Sequence, residues 1–166
     1  PLTTPSEAMY LNGVNVVTRH FQRQNPRAKL TSFIKKAEEM RSEVPDGINE
    51  IIMVDDEGKI LEGISSNVFL VKDGVVWTAE EGVLHGLTRS MVLEEINRLA
   101  IPIHMHGYPI ADLNQADEVF ITSASRAILP VRKIDDLLVK TPVPGEITRQ
   151  LTIRYQERID REIERF

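Results

Sequence analysis

The run Leu61-Glu62-Gly63-Ile64-Ser65-Ser66-Asn67-Val68-Phe69 puts a carboxylate between two apolar, strand-like segments and follows it with Gly, Ser, Ser and Asn. Turns use such residues for their own geometry. A carboxylate fixed at a strand end beside a polar loop can also meet a ligand. Three other segments carry chemistry that could join it. Gly86-Leu87-Thr88 opens a helix, and the free N–H groups and positive dipole end of a first helical turn can hold a phosphate. Thr122-Ser123-Ala124-Ser125 offers hydroxyls and backbone N–H groups between two apolar strands. Lys29 stands at the start of a helix after Pro26-Arg27-Ala28, and a desolvated lysine amine is a nucleophile. Alone, each has an ordinary reading: a turn, a helix end, a loop, a surface lysine.

Other candidates are weaker. His104 and His106 lie two apart and share a strand face, as metal ligands can, but no third ligand is near, so packed or solvent-facing histidines and no metal are expected. Glu94-Glu95 reads as a helix surface and Asp135-Asp136 as a turn. There is no Gly-rich dinucleotide fingerprint, no P-loop and no serine in a nucleophile-elbow context.

Composition bounds the class. A chain of 166 residues with 42% apolar residues can form one domain with a real core. A net charge of −5 argues against a nucleic-acid partner. The absence of cysteine excludes disulfides, thiolate metal sites and cysteine nucleophiles, and fits a reducing, cytoplasmic setting. No apolar run reaches membrane-spanning length, so no membrane partner is expected. The opening Pro1-Leu2-Thr3-Thr4-Pro5 is of linker type, not a signal peptide, and suggests a piece of something longer.

The elements that must position these residues follow from periodicity. Strands are predicted over 12–19, 49–54, 59–62, 67–71, 75–78, 118–122 and 128–134, with 101–108 extended. Asp55-Asp56-Glu57-Gly58 and Lys72-Asp73-Gly74 close two hairpins. Residues 22–27 are predicted as a polar loop. Helices are predicted over 29–43, stopped by Pro45-Asp46-Gly47, and from a Thr88 cap to Ala100, with a short turn at 111–116. A last helix starts near Glu146, with Ile147, Leu151, Tyr155, Ile159 and Ile163 four apart and a solvated charged face opposite. The pattern is mixed α/β and rich in hairpins, so a doubly wound parallel sheet is not expected.

The order of the weak signals is more specific than any one of them. A lysine is followed by Glu62 to Phe69, then Lys72-Asp73-Gly74, then Leu84-His85-Gly86-Leu87-Thr88-Arg89, then Ala116-Asp117-Glu118-Val119-Phe120, then Thr122 to Val131. This order resembles the class IV aminotransferases, the fold type IV pyridoxal-phosphate enzymes, among them branched-chain and D-amino-acid aminotransferases and aminodeoxychorismate lyase. The resemblance implies a barrel-like mixed sheet with surrounding helices. It implies residues 1–25 as a linker and first strand left from an interdomain region, and 26–166 as the cofactor-binding large domain.

The resemblance also implies roles. Lys29 falls where the family's lysine bonds the cofactor as a Schiff base and moves a proton between the substrate Cα and C4′. Glu62 matches the carboxylate facing the pyridine nitrogen. Leu87 and Thr88 match the phosphate-cradling helix start, and Ser123, Ala124 and Ser125 the second phosphate-side loop, where Ser125 also meets the substrate carboxylate. Arg126 replaces a small residue of many relatives and either binds a substrate carboxylate or points to solvent. Ile34 stands where branched-chain enzymes have a Tyr, a departure that bears on branched-chain specificity. The implied substrates are an amino acid and a 2-oxo acid, and the implied assembly is a homodimer. The family's smaller N-terminal lobe, with its phosphate-binding Arg, has no counterpart in this sequence and is an expected partner from the same protein. Two alternatives stand beside the aminotransferase reading: a lyase with the same cofactor and lysine, and a non-catalytic isolated domain.

Overall fold

A computed structural model describes residues 5–21, 31–140 and 142–164. Its elements, in chain order, are α1 (Glu7–Asn12), β1 (Val14–His20), α2 (Thr31–Ser42), β2 (Ile48–Val54), β3 (Lys59–Gly63), β4 (Ser66–Lys72), β5 (Val75–Trp77), α3 (Leu87–Arg98), β6 (Ile103–His104), β7 (Tyr108–Pro109), β8 (Glu118–Ser123), β9 (Ala127–Ile134), β10 (Leu137–Leu138) and α4 (Glu146–Ile163). A 3-10 turn, Ile110–Gln115, precedes β8.

Six strands form a closed mixed ring in the order β4-β8-β9-β1-β2-β3, with β3 pairing back onto β4. The expected barrel-like, hairpin-rich α/β fold is therefore what the chain adopts. β1 is parallel to both β2 and β9; the other ring pairs are antiparallel. β4 changes neighbours along one edge: Ser66 and Asn67 pair with β3, and Leu70 to Lys72 pair with β5.

Strand alternation sorts side chains to two faces. Val16, Ile52, Ile60, Leu70, Ile121 and Leu129 belong to one buried cluster that draws on all six ring strands. Phe69 and Phe120, register partners across β4 and β8, stack at 4.9 Å on the other face, where Val92 and Ile96 of α3 and Leu151 of α4 cover them. α2 covers Ile51 and Met53 of β2 with Ala37 and Met40. Helices thus coat the outside of the ring.

Several expectations need correction. Thr88 does not cap α3: Gly86 is the N-cap residue and makes no side-chain cap bond, and Thr88 is buried inside the first turn. Glu7–Asn12 is a short helix where a linker is expected; the Tyr10 hydroxyl ties it to the rest by donating to the Arg126 carbonyl at 3.1 Å. Glu95 is buried, not on a helix surface: Arg98, three residues on in α3, pairs with it, and Arg158 of α4 approaches it at 3.9 Å. The turn expected at Asp135-Asp136 is present; Asp135 takes φ 51° and accepts from the Thr18 N–H at 2.9 Å and the Thr18 hydroxyl at 2.7 Å, so the turn is anchored to β1. The extended segment before the 3-10 turn splits into β6 and β7. In β6, His104 packs on Trp77, ring centroids 4.2 Å apart, and His106 forms a lone bridge with Ala79. Among the described residues no helix is long and apolar enough to cross a membrane.

Candidate active site

Glu62 is the natural origin of the site because it is a carboxylate with only 1% exposure at the end of β3. Burying a charge is costly unless donors meet it. Here its Oε2 accepts from the Leu84 N–H at 3.0 Å and from the Asn67 amide at 3.2 Å. The same Asn67 amide donates to the Leu84 carbonyl at 2.7 Å. One carboxylate and one carboxamide therefore hold the segment that leads into α3 against the β3–β4 turn. The next glycine is tightly fitted: a Cβ on Gly86 would lie 2.6 Å from Asn67 Oδ1.

The first turn of α3 comes next. Its N–H groups have no acceptor within the helix, and the Gly86 cap supplies no side-chain oxygen. Thr88 is buried beside them, while Leu87 is 74% exposed. Arg89 is buried as well. It donates to the Ala79 carbonyl at 2.9 Å and to Glu80 Oε2 at 2.6 Å, which pins the helix start to the preceding loop.

The β8–β9 turn closes the other side. Asn67 and Thr122 are register partners on β4 and β8, so their side chains share a face with Phe69 and Phe120. Ser123 follows at the strand end, and its hydroxyl lies 3.5 Å from that of Ser125.

These segments wall a cavity of about 490 Å³, within the size range of small-molecule sites. Glu62, Leu87, Thr88, Ser123 and Ala124 all line it, with Ser65, Ser66 and Asn67 of the β3–β4 turn and Phe33, Ala37 and Arg41 of α2. Ser125 and Arg126 do not line it. Arg126 instead reaches the buried carboxylate of Glu50 at 2.7 Å. Lys29 lies outside the described residues. So does the loop 22–27. Among the described residues no group of three His, Asp or Glu side chains could hold a metal ion.

Two buried polar groups of cavity-lining residues, Thr122 Oγ1 and Arg89 Nε, have no hydrogen-bond partner among the described residues. With the open helix start and the buried carboxylate, they suit an occupant that presents acceptors to a helix N-terminus and a proton to Glu62. A pyridoxal phosphate has both, as a phosphate and a protonated ring nitrogen. Glu50 stands in none of the sequence motifs, and Asn67, Arg89 and Thr122 stand in them without a role of their own. The available signal is a polar residue inside an apolar strand run, as in Val119-Phe120-Ile121-Thr122, which costs stability unless something uses it.

Comparison with known proteins agrees with this geometry. The family profile for amino-transferase class IV matches residues 1–134. A D-alanine aminotransferase of Listeria monocytogenes is 37% identical over 105 residues, covering 62% of this chain and 36% of that protein. The solved 4-amino-4-deoxychorismate lyase of Pseudomonas aeruginosa superposes with TM-score 0.82 at 28% identity, covering 96% of this chain and 60% of that one. A branched-chain amino acid aminotransferase of T.th., solved with pyridoxamine 5′-phosphate, gives TM-score 0.81 at 27% identity over 92% of this chain and 53% of that one. The chain thus spans less than half of this curated relative and little more than half of the solved chains. Matched through most of its length in sequence and in fold, the chain belongs to the class IV aminotransferase family.

Proposed function

We propose that this chain forms the cofactor-binding part of a pyridoxal-phosphate aminotransferase that moves an amino group between an amino acid and a 2-oxo acid. One observation carries the reading. Glu62, the Leu87–Thr88 helix start and the Ser123–Ala124 turn come from remote parts of the sequence and wall a single cavity. The solved relative that holds pyridoxamine 5′-phosphate supports the identity of the cofactor.

When bound, the cofactor supplies an electron sink for the bond broken at the substrate Cα. The protein's own residues do the rest. Glu62 holds a negative charge where it favours a proton on the ring nitrogen. The Asn67 amide and the Leu84 N–H keep that carboxylate in place. The first turn of α3 offers N–H groups and its dipole to the phosphate, and Thr88 adds a hydroxyl. Ser123 and Ala124, on the opposite wall of the cavity, would add donors to the phosphate, with Ser125 beyond them. Lys29 would bond the cofactor and carry the proton between the substrate Cα and C4′. The family resemblance supports a homodimer, the branched-chain relatives support branched-chain acids among the substrates, and the absence of cysteine fits a cytoplasmic setting.

The test is chemical. The protein is mixed with pyridoxal phosphate, reduced with borohydride and mapped by peptide mass spectrometry. The expected result is one adduct, on Lys29, that Lys29→Ala abolishes. Scattered or absent labelling would instead favour a non-catalytic domain. Assays with several amino donors and with aminodeoxychorismate then separate transfer from elimination.

A further inference from the structure

Just behind the cavity wall lies a buried ion pair with no task in the mechanism above. The side chain of Glu50 is fully buried, and that of Arg126 is 14% exposed. Glu50 Oε2 accepts from Arg126 Nη2 at 2.7 Å, from the Ser65 hydroxyl at 2.7 Å and from the Ser66 hydroxyl at 2.9 Å. Its Oε1 accepts from the Ile51 N–H at 3.1 Å. Packing around it is close: a Cβ on Gly63 would lie 2.8 Å from Glu50 Cγ.

Arg126 is equally engaged. Besides Glu50, it donates to the Ser65 carbonyl at 3.2 Å and the Ser65 hydroxyl at 2.8 Å. It also donates from Nε to the Ser123 hydroxyl at 3.1 Å and from Nη1 to the Asn49 carbonyl at 3.4 Å. The two Nη2 hydrogens are shared among three acceptors, and Nε and Nη1 meet one acceptor each, so all three nitrogens of the guanidinium are engaged. Turning it toward a substrate carboxylate would give these up and strand a buried carboxylate without its counter-charge, which is strongly unfavourable.

The partners of the pair are informative. Ser65, Ser66 and Ser123 all line the cavity, whereas Arg126 does not. The pair therefore joins the start of β2, the β3–β4 turn and the β8–β9 turn from behind. We propose that Arg126, held by Glu50, is a positioning residue that fixes the two serine-bearing turns at the spacing the cofactor needs, and that it is not the substrate-carboxylate hook. The inference rests on the pyridoxal-phosphate reading.

The experiment is a titration of wild type, Arg126→Met, Arg126→Lys and Glu50→Gln with pyridoxal phosphate, followed by the cofactor's absorbance. Each cofactor-loaded protein is then titrated with a 2-oxo acid and an amino acid, read as half-saturation of the spectral change. Circular dichroism and urea midpoints identify the variants that fold. Arg126→Met is expected to weaken cofactor binding about tenfold or more. Half-saturation by either substrate, at saturating cofactor, is expected to stay within about threefold of wild type. Arg126→Lys keeps the charge but not the planar fork, so it is expected to fold and still bind cofactor more weakly than wild type. If Arg126→Met does not fold, Arg126→Lys and Glu50→Gln carry the same comparison. Unchanged cofactor affinity with substrate half-saturation raised tenfold makes Arg126 the hook and overturns the proposal. Unchanged values for both also overturn it. Wild type that takes up no pyridoxal phosphate overturns the functional reading itself, and this inference with it.

Discussion

At the scale of single residues, Glu62 is buried deeply enough to be costly and is held by two donors on one oxygen. Such a group is kept when its charge is used. Glu62→Gln separates the charge from the shape. The amide oxygen can still accept from the Leu84 N–H and the Asn67 amide, so the urea midpoint should correspond to a change within about 1 kcal/mol. Loss of the charge facing the ring nitrogen should slow the half-reaction with an amino donor by about a hundredfold or more, the range seen when a preorganised electrostatic partner is removed. Stopped-flow absorbance of the cofactor measures this. Near-normal rates with normal stability would leave Glu62 a structural tie only. Its candidacy is legible in the sequence only through the order of the segments around it, since alone the run reads as a strand end and a turn. Asn67 is harder to read, since its task depends on Leu84, which the chain brings near only after the barrel has formed.

At the scale of elements, the start of α4 shows what local sequence does not carry. Its N-cap is Gly145, with no side-chain cap bond. The cap comes instead from β8: Glu118 accepts from the Ile147 N–H at 3.0 Å, the Thr148 N–H at 2.8 Å and the Thr148 hydroxyl at 2.7 Å. A carboxylate at a helix N-terminus also meets the positive end of the dipole. Glu118→Ala leaves two first-turn N–H groups and a buried hydroxyl without acceptors. It should cost about 1–3 kcal/mol, read from urea unfolding. A cost below about 0.5 kcal/mol would mean that water replaces the carboxylate. The existence of most strands and of two hairpins is legible, because apolar runs and the two Asp/Gly turns depend on neighbours in sequence. The misread pieces depend on neighbours in space. Glu7–Asn12 follows a linker-like opening and buries no residue, so composition gives little reason to predict its helix. Thr88 has the cap residue type, yet the chain enters α3 through Gly86, where Asn67 leaves no room for a side chain. Glu95 lies in a charged stretch of α3, is buried, and meets Arg158 of α4, a neighbour that local sequence does not show.

At the scale of the molecule, the ring separates scaffold from site. β1 joins β2 and β9, whose residues lie far apart in sequence, and the closure has no free edge at β1. Interior residues from all six strands form one cluster, so opening the ring anywhere exposes most of it. The site hangs on the outside: Thr122 faces the cavity, and Ile121, one residue earlier, faces the interior. Ile121→Ala tests this division. Ile121 is fully buried, so its truncation should cost about 2–5 kcal/mol. Because the ring closes on itself, the loss should appear as one cooperative urea transition, with far-UV circular dichroism coincident with the fluorescence of Trp77. Trp77 is a sensitive reporter because it lies on β5, outside the ring, and packs at 5.5 Å against Tyr108 of that same cluster. Under conditions where the variant remains folded, its affinity for pyridoxal phosphate should stay within about threefold of wild type, since the removed atoms face away from the cavity. Non-coincident transitions would show that the outer strands unfold apart from the ring. A large fall in cofactor affinity in the folded variant would show that the cavity is shaped from inside the barrel and not by the turns that cross its end.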